Sequence, residues 1–510
     1  MSDPSRRLAW IVPAIVGAAF VLHVVGDARY GFFQDELYFI ACGKHLAWGY
    51  VDQPPLVALV SLLGAPFHYA LVPVRILPSL AAALAAWIAA RIARELGGGL
   101  FAQAFAALGV ALIPAYLVYG SWLTTTSWEP LTWTATIYLV LRIVRGGDPR
   151  LWLLVGLIAG FGFNAKYTIV FLLAALVAGL LCTPERRVLA SPWAACGLAL
   201  LCVLAAPNVV WQAAHGFPFL DVIHAQQMRK HVLFGVDVDF VDVWKNGLAF
   251  LLEQIVFMHP LLAPVWLAGL AVLARRASRA FLIAYLLLVF VAVVELAKGY
   301  YIMGVYASLV GAGSVALERL TVSWQRTLAV VLVALPIFLL MPLILPVLPL
   351  RGFIGYSRIL HIANPADSRV VLIQPGYADE LGWIAATRVV AAAYDRLPPA
   401  QRARTAIFAD VYAYASALDL YGPYYGLPAP ISAHNSFYIW GTRGYDGSQM
   451  IAVGATDYPL LMRYFHKVRQ VAAFDDPYRH VIEGTLPIFL VSEPVMPLSD
   501  LWPRLRYYGP

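Results

Sequence analysis

Long apolar segments recur along the first 350 residues and constrain the fold more than any other feature. A helix needs about 20 mostly apolar residues to cross the hydrocarbon core of a bilayer. Charged residues make up only 13% of the 510 residues, too few to cover the surface of a soluble protein of this size. The sequence therefore predicts a polytopic α-helical membrane protein with about 11–13 transmembrane helices. Eleven predicted spans lie near residues 8–27, 76–94, 101–120, 130–145, 151–165, 167–182, 193–210, 246–274, 280–297, 300–318 and 327–349.

The apolar stretch 54–72 is ambiguous, because it opens with Pro54-Pro55 and contains Pro66. Up to Leu350 there are 22 Lys and Arg residues, and 14 of them lie on the side of the N-terminus if this stretch does not cross. The positive-inside rule favours that arrangement. We therefore predict a multi-pass protein of the bacterial inner membrane with a cytoplasmic N-terminus, in which 54–72 is re-entrant or lies on the surface.

The same charge count places the chain after residue 350 in the periplasm. Its composition differs from that of the apolar part, and short apolar runs alternate with a helical pattern. We predict two domains: a transmembrane domain over 1–350 with an outer loop at 28–75, and a periplasmic soluble α/β domain over 351–510. Its predicted strands are 369–373, 406–408 and 488–491, with a helix at 381–394.

Several function classes lack any signal. The sequence has no Walker A motif, no HExxH motif and no Rossmann glycine fingerprint. The net charge of +7 comes from basic residues spread between apolar runs, which is typical of membrane topology and not of a nucleic-acid partner. The four cysteines form no CxxC pair. Nucleotide-dependent chemistry and nucleic-acid binding therefore have no support.

The outer loop carries three carboxylates. Asp35 and Glu36 follow directly after the first predicted span, and Asp52 precedes Gln53 and a proline pair. Adjacent carboxylates just outside a membrane helix suit a general base or a cation ligand. An interfacial cap with aromatic belt residues is the alternative that this pattern leaves open.

Three more charged residues lie at predicted span ends on the same face. They are Glu129, Lys166 and Lys298. A charge at membrane depth costs roughly 2.5–3.5 kcal/mol, so such residues are usually paired, snorkelling or facing a cavity. Lys298 has Glu295 three residues before it, which allows a simple helical pair. Two lysines and two acidic sites at one lipid–water boundary also suit a phosphate-bearing lipid substrate.

These motifs together resemble a known family. They are Asp35-Glu36-Leu37-Tyr38, the run Trp48 to Leu56, Glu129-Pro130, the glycine-rich run into Lys166, Lys298-Gly299-Tyr300-Tyr301, and the tail runs Tyr421 to Pro428 and His434 to Gly441. Their order and spacing are similar to those of bacterial family 39-type glycosyltransferases, which resemble protein O-mannosyltransferases and the aminoarabinose transferase of lipid A. Each motif alone is weak, but the set covers most of the chain.

The resemblance implies a GT-C fold, a polyprenyl-phosphate sugar donor, a periplasmic active site and inversion at the anomeric carbon. It also implies roles for single residues, with no metal or other cofactor expected. The expected site consists of Asp35 as base with Glu36 beside it, Lys298, Lys166 and Tyr301 at the donor phosphate, and Glu129 and Asp52 as the acceptor or second acidic site. The relatives' basic residue before the first proline pair is Gln53 here, which puts one phosphate contact in doubt.

The predicted function is therefore transfer of a sugar to an envelope glycolipid, glycan or protein. Two other classes stay open. A secondary transporter of sugars or lipids would use the same charges along its substrate path. A non-catalytic partner for lipid-linked glycans would keep the fold without the reaction. The sequence names neither the sugar nor the acceptor.

Overall fold

The fold is described from a computed structural model. It describes residues 10–234, 240–275, 278–362, 375–454, 458–476, 478 and 485–509, except for the side chains of 228–245. The chain forms two compact units. We call Met1–Ala28, Val72–Val210 and Phe234–Val347 the helical unit, and Arg29–Leu71, Trp211–Leu233 and Leu348–Pro510 the loop–tail unit.

Helices dominate the chain before residue 350. In order they are α1 Ile11–Asp27, α2 Gln34–Lys44, α3 Leu56–Ser61, α4 Leu71–Glu95, α5 Leu100–Ala111, α6 Pro114–Gly120, α7 Glu129–Val144, α8 Leu151–Ala165, α9 Ile169–Leu181, α10 Pro192–Ala214, α11 Pro218–Phe234, α12 Phe240–Phe257, α13 Ala263–Leu273, α14 Arg279–Val294, α15 Tyr306–Leu320 and α16 Ser323–Ile344. Short 3-10 helices lie at Leu62–Phe67, Thr126–Trp128, Pro184–Ala190, Pro260–Leu262 and Gly299–Val305.

Each of the eleven predicted spans coincides with one of these helices or with two or three in succession. In the part of the chain that the structure describes, four helices are long and apolar enough to cross a membrane alone: α4, α10, α16 and the run Gly299–Leu320. Two bent pairs raise this number to six, and further apolar helices of 10–17 residues accompany them. The number of crossings, eleven by charge counting, stays a prediction.

Of the two bent pairs, the one in the predicted span 246–274 turns more sharply. Between Asn246–Phe257 and Pro260–Leu273 the chain bends by 95°. Pro260 explains the break, because it cannot donate the backbone hydrogen bond that a continuing helix requires. His259 stabilises the bend: its Nε2 lies 3.0 Å from the carbonyl oxygen of Val333, and its Nδ1 accepts from the Leu261 amide. The predicted span over 246–274 is therefore broken into two helices, and whether it crosses the membrane stays a prediction.

The stretch 54–72 contains two short helices. α3 spans six residues, and the 3-10 helix Leu62–Phe67 spans another six. At about 1.5 Å per residue in the first and 2 Å in the second, neither piece crosses a bilayer of about 30 Å. Both belong to the loop–tail unit. That this stretch does not cross the membrane stays a prediction.

The tail forms a small α/β fold. Its helices are α17 Leu350–Ile359, α18 Pro375–Ala378, α19 Trp383–Asp395, α20 Pro399–Arg402, α21 Tyr412–Tyr421, α22 Ser436–Trp440, α23 Tyr458–Tyr464 and α24 Leu498–Leu505, with a 3-10 turn at Gly422–Tyr425. Its strands are β1 Ala406–Ala409, β2 Gln449–Val453, β3 Phe465–Phe474 and β4 Leu486–Pro494. They form one sheet in the order β1-β2-β4-β3, in which only the β1–β2 pair is parallel.

The apolar pattern explains the sheet. Every residue of β2 is buried, as expected for a central strand covered on both faces. β3 lies at an edge, and most of its side chains between Phe465 and Phe474 are partly or fully exposed. The predicted strands 406–408 and 488–491 and the helix 381–394 are confirmed, whereas 369–373 lies outside the described residues. A helical membrane protein with a soluble α/β region, the predicted fold class, is confirmed.

Candidate active site

In the helical unit, a buried ion pair joins Glu129 to Lys166. α7 begins at Glu129 with a proline at its second position, and an acidic residue in the first turn is favoured by the helix dipole. Lys166 follows α8 with extended backbone. Its ammonium nitrogen lies 2.9 Å from Glu129 Oε2 and 3.0 Å from Thr126 Oγ1, and Thr168 donates its hydroxyl to Glu129 Oε1. Both carboxylate oxygens therefore have partners.

Two tyrosine rings lie beside this cation. The Lys166 nitrogen is 5.5 Å from the ring centre of Tyr300 and 5.0 Å from that of Tyr301, within cation–π range. Both rings belong to the 3-10 helix Gly299–Val305, which packs tightly on α7. A Cβ at Gly304 would meet the Trp133 ring at 2.5 Å, so only glycine allows this approach. Lys166 is thus fixed by an anion on one side and by aromatic faces on another.

Lys298 directly precedes that 3-10 helix. The Tyr301 amide donates to its carbonyl oxygen at 3.0 Å, so the chain turn that begins at Lys298 orients Tyr301. Its own side chain is exposed, unlike that of Lys166, which is only 17% exposed. The structure therefore brings Glu129, Lys166 and Tyr301 together and places Lys298 on the same segment as Tyr301.

In the loop–tail unit, Asp35 and Glu36 lie in the first turn of α2. Glu36 is fully buried, and its Oε2 accepts from the Phe33 amide at 2.8 Å. This contact caps the helix N-terminus and gives the buried Glu36 carboxylate a hydrogen-bond donor within its own helix turn. Asp35 remains partly exposed, and its Oδ1 accepts from the Tyr412 hydroxyl at 2.6 Å. Of the two adjacent carboxylates, Glu36 therefore caps α2, whereas Asp35 contacts a side chain of the tail.

Asp52 belongs to a second polar network of the same unit. The Tyr38 hydroxyl lies 2.9 Å from Asp52 Oδ1 and 2.7 Å from Ser436 Oγ. Asn435 donates its side-chain amide to Asp52 Oδ2 at 3.5 Å, and the Val51 amide donates to Ser436 Oγ at 3.2 Å. The network thus ties α2 and the loop after it to the start of α22 in the tail.

Burial controls the protonation of Asp52. Desolvation raises its pKa to about 7, the Tyr38 hydroxyl opposes that rise, and the neighbouring Asp35 charge adds to it. Burial and the Asp52 charge likewise raise the pKa of Tyr38 well above its ordinary range, so this phenol stays a donor. Near neutral pH, Asp52 is therefore divided between its acid and its carboxylate form.

The predicted site residues thus fall into two clusters, one in each unit. Residues that the sequence reasoning did not single out complete them: Thr126 and Thr168 at the ion pair, and Tyr412 at Asp35. The tail run His434-Asn435-Ser436, which the sequence marks only as a motif, contributes Asn435 and Ser436 to the Asp52 network. Nothing local marks Tyr412, because its partner lies 377 residues earlier. Within the described residues, no group of three or more His, Cys, Asp or Glu side chains could hold a metal. Metal independence stays a prediction.

Comparisons with known proteins give a consistent family likeness. Residues 52–211 match the family model of dolichyl-phosphate-mannose-protein mannosyltransferases. The chain also resembles two crystal structures of ArnT from Cupriavidus metallidurans. The one bound to undecaprenyl phosphate has a TM-score of 0.59 at 14% identity, over 94% of this chain and 97% of that chain. The apo form has a TM-score of 0.58 at 15% identity, with the same coverage.

The chain has a weaker likeness to the archaeal oligosaccharyltransferase AglB from Archaeoglobus fulgidus, in complex with an inhibitory peptide and a dolichol-phosphate. The TM-score is 0.48 at 14% identity, over 90% of this chain and 72% of that chain. No curated protein was found that matches the chain. The predicted enzyme class, a glycosyltransferase that uses lipid-phosphate sugars, agrees with the family match over 52–211 and with the ArnT fold. The resemblance read from the motifs is confirmed: the chain is a multi-pass membrane protein with the fold of GT-C glycosyltransferases.

Proposed function

We propose that this protein transfers a sugar from a polyprenyl-phosphate donor to an envelope glycolipid, glycan or protein, with inversion at the anomeric carbon. The reaction takes place on the periplasmic face of the bacterial inner membrane, with the N-terminus in the cytoplasm and the tail in the periplasm. The fold of ArnT, which was crystallised with undecaprenyl phosphate, and the mannosyltransferase match over 52–211 support this class of donor.

The observation that carries the proposal is the fixed cation in the helical unit. Lys166 ends an apolar helix, and its ammonium is held by Glu129 and Thr126 and flanked by two tyrosine rings. A compact, immobilised ammonium at the end of apolar helices suits a phosphate whose lipid chain lies in the bilayer. Such a charge stabilises the departing phosphate without having to reorganise during the reaction. Lys298 supplies a second, more exposed cation on the segment that carries Tyr301.

The base of the proposed reaction is Asp35. It accepts the proton of an acceptor hydroxyl as that oxygen attacks the anomeric carbon. The bond from this carbon to the phosphate oxygen breaks, and the phosphate leaves with the electron pair. Asp35 suits this role because its carboxylate is partly exposed and is oriented by a hydrogen bond from the Tyr412 phenol.

The remaining acidic residues support these two centres. Glu129 positions Lys166, since both of its oxygens are already engaged. Glu36 holds the first turn of α2, which carries Asp35. Asp52 holds Tyr38, which is three residues after Asp35 on α2, and is assigned to the acceptor side of the proposed site.

An assay with purified protein in lipid vesicles tests this function. The donor is an undecaprenyl-phosphate sugar carrying a radiolabel, and a set of envelope lipids and peptides serves as acceptors. Wild-type protein should release lipid phosphate and move the label to an acceptor, whereas Asp35→Asn should do both at least about 10²-fold more slowly. Vectorial movement of intact donor without cleavage would contradict the proposal and favour a transporter. Absence of both cleavage and movement would favour a non-catalytic partner.

A further inference from the structure

The C-terminal tail holds a tyrosine directly against the proposed base. We propose that Tyr412 is a positioning residue for Asp35, so that the tail forms part of the acceptor-activating centre and is not a separate accessory domain. This inference rests on the proposed role of Asp35. It concerns residues of the loop–tail unit alone.

Tyr412 is held on several sides. It is the first residue of α21, directly beyond the end of β1, and its backbone amide donates to His434 Nδ1 at 3.2 Å. His434 Nε2 lies 2.8 Å from the Gly509 carbonyl, which requires the ring proton on Nε2 and leaves Nδ1 as an acceptor. The backbone of Tyr412 is thus held by His434, which is itself held by Gly509.

The Tyr412 ring also packs against two other rings. Its centre lies 5.0 Å from that of Tyr38 and 5.1 Å from that of His434. Tyr38 is itself held by hydrogen bonds to Asp52 and Ser436. A phenol fixed in this way gives Asp35 one defined hydrogen bond, which restricts the rotation of the carboxylate.

The protonation of Tyr412 suits this role. Burial and the Asp35 charge raise the pKa of Tyr412 well above its ordinary range, so the phenol remains a donor across the working pH. A hydrogen bond donated to a carboxylate stabilises its ionised form. Oδ1 of Asp35 is thus held by Tyr412, and the carboxylate as a whole is partly exposed.

Tyr412→Phe removes the donor and keeps the ring. We expect kcat to fall roughly tenfold, because hydrogen bonds to charged groups are among the stronger ones. The acidic limb of the kcat/KM profile should move to higher pH, because the ionised carboxylate loses its donor. Tyr414→Phe, on the same helix and against Trp383, is the matched control and should leave both quantities unchanged. An unchanged acidic limb and kcat in Tyr412→Phe would overturn the inference, as would a loss of thermal stability alone.

A second variant covers the case in which Tyr412→Phe does not fold. Replacement of Tyr412 by 3-fluorotyrosine keeps the shape and makes the phenol a stronger donor, so the acidic limb should move to lower pH. A limb that does not move contradicts the positioning role. The parallel variant Asp35→Asn separates this inference from the proposed function. If Asp35→Asn keeps full turnover, the base assignment fails. If it is inactive while neither Tyr412 variant moves the limb, only the present inference fails.

Discussion

The carboxylates of the two clusters have different kinds of partner. In the helical unit, Glu129 is 3% exposed and faces a full positive charge on Lys166. In the loop–tail unit, Asp35 and Asp52 face the phenols of Tyr412 and Tyr38. Glu129 thus has an ammonium and a hydroxyl as partners, whereas Asp35 and Asp52 each accept a hydrogen bond from a phenol.

In the proposed function, this difference separates two chemical tasks. Lys166 of the helical unit is the proposed phosphate contact, and Glu129 is proposed to hold it in place. Asp35 of the loop–tail unit is the proposed proton acceptor, and Tyr412 is proposed to orient it. Acidic residues that look equivalent in the sequence thus have different partners in the structure. The following predictions test that separation, starting with the largest expected effect.

Asp35→Asn should lower turnover about 10²-fold or more, because general base catalysis typically contributes 10²–10⁴. The size of the side chain is kept, so expression and membrane insertion should not change. Turnover of the radiolabelled donor is the measurement. Asp395→Asn serves as the control, since Asp395 is an exposed carboxylate in an ion pair with Arg402 on the same unit. Near-normal turnover of Asp35→Asn would return the role of base to another carboxylate.

Lys166→Met should lower turnover about 10²-fold, comparable to loss of one preorganised donor at a developing negative charge. It should also destabilise the protein by about 3 kcal/mol, because Glu129 would be left buried without its cation. The double variant Glu129→Gln with Lys166→Met should regain stability in thermal unfolding but not activity.

The exposed ion pair of Lys467 and Glu493 provides the matched control for the single and double variants of Glu129 and Lys166. Lys467→Met should change stability by about 1 kcal/mol or less, as is usual for exposed ion pairs, and should leave turnover unaltered. Recovery of activity in the double variant of Glu129 and Lys166 would mean that the ion pair is only structural.

Lys298→Met should reduce turnover by roughly tenfold, less than Lys166→Met, because an exposed charge is screened by solvent and salt. Lys298→Arg should be impaired as well if a compact ammonium contacts the phosphate. Adding Glu295→Gln to Lys298→Met should not restore activity. Full activity of both single variants would remove Lys298 from the phosphate site.

Asp52→Asn should change the pH dependence of stability more than activity. The folded protein raises the pKa of Asp52 to about 7 from an ordinary value of 3.8, so it binds more protons than the unfolded chain between these values. Stability contributed by protonated Asp52 is therefore full at low pH and declines as the pH rises towards 7.

Removing this group should raise the melting temperature at pH 8 relative to wild type, with a gain on the order of 1 kcal/mol after allowance for solvent screening. At pH 4 the two proteins should melt alike. Thermal unfolding in detergent at both pH values measures this difference. An equal shift at both pH values would show that Asp52 does not titrate as described.

The sequence alone determined most of the helical architecture. Each predicted span coincides with helix, because the apolar character that places a segment in the bilayer also forces its backbone to satisfy its own hydrogen bonds. The tail strand 406–408 and the helix 381–394 were also readable from local pattern. The 95° bend after Phe257 was not placed by the pattern, because whether a Pro-containing apolar run kinks slightly or turns sharply depends on what the freed backbone groups contact.

For the candidate site, too, the sequence indicates some features and the tertiary structure decides others. Charged residues next to apolar segments stand out in the sequence, because burying a charge at membrane depth is costly and such residues usually serve a function. Here they are Asp35, Asp52, Glu129 and Lys166. Which partner each charge receives was decided only by the tertiary structure. Glu129 meets Lys166 across 37 residues of chain, and Asp35 meets Tyr412 across 377. Hydropathy and helix signals report on neighbours along the chain, whereas hydrogen bonds between distant residues depend on how the elements pack. These bonds give the two carboxylates different partners, on which the proposed roles rest.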